Sequence, residues 1–182
     1  MGKKGKYVYD WPRPMVTVDA VVFAVAEGKV KLLLIKRKDE PFKGKWAIPG
    51  GFIGIDEGLD DAVARELFEE TGLTGIALEQ MHTFGKPGRD PRGRQITIVY
   101  MGVITEGFDR IKAGDDAQHA QWFNIENLPA DMAFDHDVVA KFAVNRLKLK
   151  IENRKYHRVV APANCSLNVR SRISIAAIAH SM

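Results

Sequence analysis

Cysteine is nearly missing from these 182 residues. Cys165 stands alone, so no internal disulfide can form, and a reducing compartment such as the cytosol fits. No stretch of about 18 apolar residues exists, which excludes a membrane-spanning helix. The opening MGKKGKYVYDW has no apolar run, so a secretory signal is not expected. There are no internal repeats. His82, His119 and His136 lack metal-ligand spacing; the first two read as structural or surface residues and His136 as part of a helix start. What is present is ordinary for a globular chain: 46% hydrophobic and 27% charged residues, enough for one domain with a sizeable core.

The net charge of +4 is unevenly spread. Residues 51–73 are acidic, whereas the stretches 36–45, 86–94 and 146–158 are basic. That split suits a cation site beside a pocket for an anionic ligand, although any one basic run is also a plain solvated surface.

The acidic segment reads GFIGIDEGLDDAVARELFEETGL. Glu66, Glu69 and Glu70 lie at i, i+3 and i+4, so a helix puts them on one face. Like charges so spaced repel, and a cation relieves them; carboxylate oxygens suit Mg²⁺ or Mn²⁺. The flanks favour a loop and a helix. Trp46–Ile48 reads as a short strand, Pro49-Gly50-Gly51 ends regular pairing, and a helix runs from Leu59 to Thr71. Asp60 and Asp61 suit its first turn and Gly72 its end, with Ala62, Val63, Leu67 and Phe68 as its apolar contacts.

Along the rest of the chain, Met15–Ala26 and Val30–Lys36 read as a hairpin. Gly75–Phe84, Gln95–Ile104 and Ala120–Asn124 read as further strands, with a Gly/Pro-rich loop at 85–93. Asp135 is placed to cap a last helix ending near Lys150, with Val138, Val139, Phe142, Ala143 and Leu147 on its apolar side. The division expected is an N-terminal arm (1–13), a main domain (14–150) and a C-terminal extension (151–182) without clear pattern.

The acidic segment matches G-x5-E-x7-R-E-U-x-E-E-x-G-U, with U aliphatic, at Gly51, Glu57, Arg65, Glu66, Leu67, Glu69, Glu70, Gly72 and Leu73. A chance match in a chain this long is roughly 10⁻⁷ at average residue usage. The segment resembles the signature of the Nudix hydrolases. That resemblance implies an α+β fold with a mixed β-sheet sandwiched between helices. It also implies Mg²⁺-dependent cleavage of a nucleoside diphosphate linked to another group. By position, Glu66 and Glu70 would ligate metal, and Glu69 would ligate or act as a base through water. Glu57 would stand behind these ligands or bind the metal through water, the Gly51 carbonyl would be a further ligand, and Arg65 would hold the carboxylates by ion pairing. The family also places a base on a loop before the last strand, which makes Asp116 the candidate, with Asp115 beside it.

Three further runs, YDWPRPMVTVDAVVF, FGKPGRDPRGRQITIVY and MAFDHDVV, resemble bacterial and archaeal ADP-ribose pyrophosphatases. They also resemble the Nudix domain of ligand-sensing transcriptional regulators. The first resemblance implies hydrolysis of ADP-ribose to AMP and ribose 5-phosphate. Arg37, Arg89, Arg92 and Arg94 then become candidates for phosphate or ribose contacts, one of them pairing with Asp90, and Phe84 a candidate for base stacking. The alternatives are another nucleotide substrate or a regulator. Residues 151–182 are short for a winged helix, so nucleic acid is not expected as a partner. The resemblance further suggests a homodimer in which Tyr9, Trp11 or Arg13 reaches the neighbour's pocket.

Overall fold

From Val18 to Val25 no residue of the first strand is more than 5% exposed, because the strand lies between two apolar layers. The computed structural model describes residues 9–26, 28–112 and 117–160; for 117, 118 and 153–160 the description is of the backbone alone. Seven strands form one mixed sheet: β1 (Met15–Ala26), β2 (Lys29–Arg37), β3 (Trp46–Ala47), β4 (Gly50–Phe52), β5 (Glu79–Phe84), β6 (Gln95–Ile104) and β7 (Ala117–Asn124). Two helices cover it, α1 (Leu59–Thr71) and α2 (His136–Val160). This is the α+β sandwich expected.

β1 runs parallel to β6 for ten residues, from the pair Met15–Gln95 to Ala24–Ile104. On its other edge β1 pairs first with β4, at Thr17–Asp19, and then with β2, at Phe23–Ala26. β2 in turn leaves β1 for β3 at Ile35 and Lys36 and carries β7 on its far edge. Because β1 and β2 part company midway, the chain between β3 and β4 fits into the gap, and the Pro49 carbonyl accepts the Ala20 N–H at 2.8 Å.

Side chains alternate along β1. Val18, Ala20 and Val22 meet Ala62, Val63 and Leu67 of α1, while Val21, Phe23 and Val25 belong to the cluster of Val139, Ala143 and Leu147 of α2. Burying each Val or Leu side chain contributes about 1.5–3 kcal/mol. Three expectations change. Phe68 is 54% exposed, because the inward stripe of α1 falls at 62, 63, 66, 67 and 70 and leaves 68 outside. α2 passes Lys150 and continues to Val160, with Ile151 buried in the core. Asp135 does not use its carboxylate as a cap; its backbone carbonyl accepts from Val138 and Val139, and its carboxylate is engaged by Arg89.

Candidate active site

The loop entering β4 is fixed from two sides. β1 pairs with Gly50, Gly51 and Phe52, and the Glu70 Oε2 of α1 accepts the Gly50 N–H at 2.8 Å. A Cβ on Gly51 would lie 2.5 Å from the Glu66 carboxylate, which would have to move aside. The first and last glutamates of the helical set therefore lie directly against the glycine backbone. Glu69 points elsewhere, with its side chain 54% exposed, so the three do not share one environment.

Arg65 joins the remaining carboxylates. Its Nε and Nη2 donate to Glu57 at 2.6 and 2.9 Å, and its Nη1 donates to Glu66 and Glu69 at 2.8 and 2.9 Å. A further Nη2 contact reaches the Phe52 carbonyl at 3.1 Å. The Arg65 side chain, with the Gly54 N–H, holds Glu57 down at about 2. Burial raises Glu66 despite Arg65. Burial pushes Glu70 up to about 8, with the Gly50 N–H and Arg37 pulling the other way and Glu66 and Asp19 adding to the rise.

Among the described residues no three carboxylate, His or Cys donors already converge as a metal cluster, because Arg65 draws Glu57, Glu66 and Glu69 to itself. The donor set nonetheless fits a hard divalent cation. Glu66 and Glu70 are two oxygen donors beside the Gly50–Gly51 backbone, both raised chiefly by burial; Glu66 shares Arg65 with two other carboxylates, and Glu70 has no ion pair among the described residues. Bound there, such an ion would be held by Glu66 and Glu70, with the Gly51 carbonyl and Glu69 within the same loop-and-helix unit.

The arginines differ in surroundings. Arg89 is buried, and its Nε and Nη2 clasp Asp135 at 3.0 and 2.6 Å. Its guanidinium is thus engaged by a structural partner. Arg92 pairs with Asp90 through Nη2 at 2.7 Å; burial alone would raise Asp90, but the Arg92 side chain and N–H hold it low. Arg94 donates to the carbonyls of Gly85 and Gln95 at 2.7 and 3.3 Å. Arg37 donates to the carbonyls of Pro41 and Asp39. Phe84 packs in a group with His82 and Phe142, ring centroids 4.9 and 5.6 Å away, on the α2 side of the sheet. Asp115 and Asp116 lie outside the described residues. Of the N-terminal candidates, Trp11 is 81% exposed and Arg13 stacks on Tyr9 at 3.9 Å.

Three further residues border the site without having been singled out for it. Asp19, buried in β1, accepts from the Thr97 hydroxyl at 2.7 Å and lies close enough to Glu70 to add to its rise. His136 is buried, burial lowers it, and its Nδ1 accepts the Ile48 N–H at 2.9 Å, tying α2 to the chain that leads into β4. Phe134 contacts Arg37 and Arg92 at 4.9 and 5.3 Å. The signal available was the MAFDHDVV run; Asp19 had none, being one polar residue inside an apolar strand.

Residues 14–142 match the family model described as NUDIX domain. The chain is 44% identical over 128 residues to the ADP-ribose pyrophosphatase of Methanocaldococcus jannaschii, covering 70% of this chain and 72% of that one. It is 37% identical over 148 residues to the ADPR responsive transcriptional repressor NtrR of Acinetobacter baylyi, covering 78% of this chain but 57% of the repressor. Among solved structures, the NUDIX domain of Shewanella oneidensis NrtR complexed with ADP ribose superposes with a TM-score of 0.69 at 32% identity, over 76% of this chain and 94% of that one.

Proposed function

Because this chain belongs to the Nudix family, we propose that it hydrolyses a nucleoside diphosphate linked to another group, with ADP-ribose as substrate and AMP and ribose 5-phosphate as products. The observation that carries this reading is the pair Glu66 and Glu70 set against Gly51 and Gly50, Glu66 ordered by Arg65 and Glu70 by the Gly50 N–H. The pyrophosphatase relative at 44% identity supports the choice of substrate.

A divalent ion, Mg²⁺ or Mn²⁺, supplies charge neutralisation at the diphosphate and a more acidic attacking water when bound. The chain's own part is to hold and orient. Arg65 holds Glu57, Glu66 and Glu69 in one constellation. Glu69, solvent-facing, or Asp116, just ahead of β7 in the sequence, takes the proton from water. Water's oxygen joins phosphorus, the bridging P–O bond breaks, and each product leaves as a phosphate monoester. Arg37 and Arg92 face the substrate; the carboxylates around Arg89 leave it a supporting role. In this reading the protein is cytosolic, acts as a homodimer on a small nucleotide and binds no nucleic acid. Among the described residues no helix is long and apolar enough to cross a membrane.

A second reading, a ligand sensor, draws on the NtrR relative, of which this chain spans 57%. One experiment separates the two. ADP-ribose, NADH, a diadenosine polyphosphate, a nucleotide sugar and triphosphates are incubated with Mg²⁺, and the products are resolved by chromatography. Fast AMP release from ADP-ribose alone supports the enzyme. Binding of ADP-ribose without turnover of any compound favours the sensor. For the base, Asp116→Asn is expected to lower kcat about a hundredfold with little change in KM. A change in KM alone assigns Asp116 to binding.

A further inference from the structure

Two described residues other than glycine have positive φ, Phe42 at 67° and Phe134 at 55°, and their rings meet edge to face with centroids 4.8 Å apart. A bulky residue keeps such a backbone only where its surroundings over-determine it. Around Phe134 those constraints are visible. The Ala133 N–H donates to the Trp46 carbonyl at 2.8 Å, Arg89 clasps Asp135 with two donors, and His136 accepts the Ile48 N–H. Both chain neighbours of Phe134 are tied down, and so is the residue after them. The ring itself is half-buried, and two guanidiniums lie against it, Arg37 at 4.9 Å and Arg92 at 5.3 Å from its centroid.

Neither arginine arrives there by default. The β2–β7 register shifts between Lys36 and Arg37, and a bulge of this kind re-aims a side chain. Among the described residues Arg37 donates to two carbonyls and to no carboxylate, so its charge has no dedicated partner. Arg92 also lies 5.0 Å over the ring of Phe52, the residue after Gly51. Both the charge of Arg92 and that of Glu70 are felt at Arg37. Among the described residues Arg37 donates through Nε and Nη2 to the Pro41 and Asp39 carbonyls, and Arg92 through the same two atoms to Asp90, so Nη1 of each is left for an acceptor such as phosphate.

We propose that Phe134 is a positioning residue, whose constrained ring sets Arg37 and Arg92 as a two-guanidinium clamp for a phosphate group of the substrate beside the Glu66–Glu70 pair. This rests on the hydrolase reading given above.

The test is a double-mutant cycle on the full chain, with ADP-ribose as substrate at saturating Mg²⁺. Phe134→Leu and Arg37→Ala are each expected to raise KM roughly tenfold or more, as loss of charge-assisted contacts does, with kcat nearly constant. The double variant is expected to fall short of additivity, because the share of the Phe134→Leu effect that acts through Arg37 is already lost while the share through Arg92 remains. Phe134→Tyr keeps the ring and is expected to restore KM. Full additivity of the two substitutions overturns the clamp, as does a shift in the Mg²⁺ concentration for half-maximal rate with KM unchanged. Arg37→Ala stands independently of whether Phe134→Leu folds, and an unchanged KM there also overturns it. If the wild-type chain turns over no nucleoside diphosphate, the hydrolase reading fails and the clamp with it; if it does and only the variants disagree, the clamp alone fails.

Discussion

Glu70 carries the sharpest conflict of any single residue. It is 7% exposed, carries an acid function, and among the described residues accepts a hydrogen bond from the Gly50 N–H. Burial favours its protonated form, so its contribution to folding is full below its ordinary value of 4.5 and is lost as pH rises through about 8. Glu70→Gln keeps an acceptor for Gly50 and removes the charge. Turnover should fall by about a hundredfold or more, as loss of a metal ligand would cause. Without metal, the melting temperature of the variant should exceed that of wild type by a margin that widens from pH 5 to pH 8. Parallel melting curves across that range, or retained activity at saturating Mg²⁺, would remove Glu70 from the site. Gly51 is the complementary case: its lack of a side chain lets the Glu66 carboxylate sit against the backbone.

At the scale of the element, α1 and α2 differ in how far their sequences betray them. α1 was legible from end to end, because acidic residues fill its first turn and Gly72, at φ 73°, closes it by donating to the Phe68 carbonyl. Tyr100, whose hydroxyl is raised to about 12 by burial and its bond to Asp60, then fixes that first turn to β6. α2 was legible at its start and missed at its end. Between Leu147 and Glu152, the last residue whose side chain is described, one position is buried, Ile151, flanked by Lys150 and Glu152, and that is too little to show a period. Ile151→Ala should destabilise the protein by about 2 kcal/mol or more, read as a lower urea midpoint at constant m-value. Leu149→Ala, at a position 51% exposed, should stay within about 0.5 kcal/mol. Equal effects would mean that the helix does not dock on the core as far as Ile151.

For the whole molecule, the sheet brings together residues from distant parts of the chain: Asp19 of β1 and Arg37 of β2 both bear on the charge of Glu70 of α1 and of His136 of α2. A divalent cation bound to the ionised glutamates should therefore stabilise the entire fold, by about 2.7 kcal/mol at a concentration a hundredfold above its Kd. Protons compete for the same oxygens, so the rise in melting temperature on adding Mg²⁺ or Mn²⁺ should be larger at pH 8 than at pH 6. Chelation with EDTA should abolish turnover, and Mg²⁺ should restore it. A metal-induced shift that is independent of pH would place the ion away from Glu66 and Glu70.

The sequence by itself determined the strands, the first helix, the α+β class and the acidic motif, because alternation, helical spacing and glycine placement are local properties that fold the chain the same way wherever it sits. It also determined that Arg65 stands among carboxylates. Only the tertiary structure decided which arginines are engaged. Arg89 and Arg92 are one turn of loop apart and alike in sequence, yet Arg89 is buried against Asp135, 46 residues on, while Arg92 turns to Asp90 and the rings of Phe52 and Phe134. That choice depends on where α2 begins relative to the loop, and on the backbone of Phe134, which nothing local favours. Long-range pairing of buried charges is set by the packing of whole elements, and no window of sequence contains it.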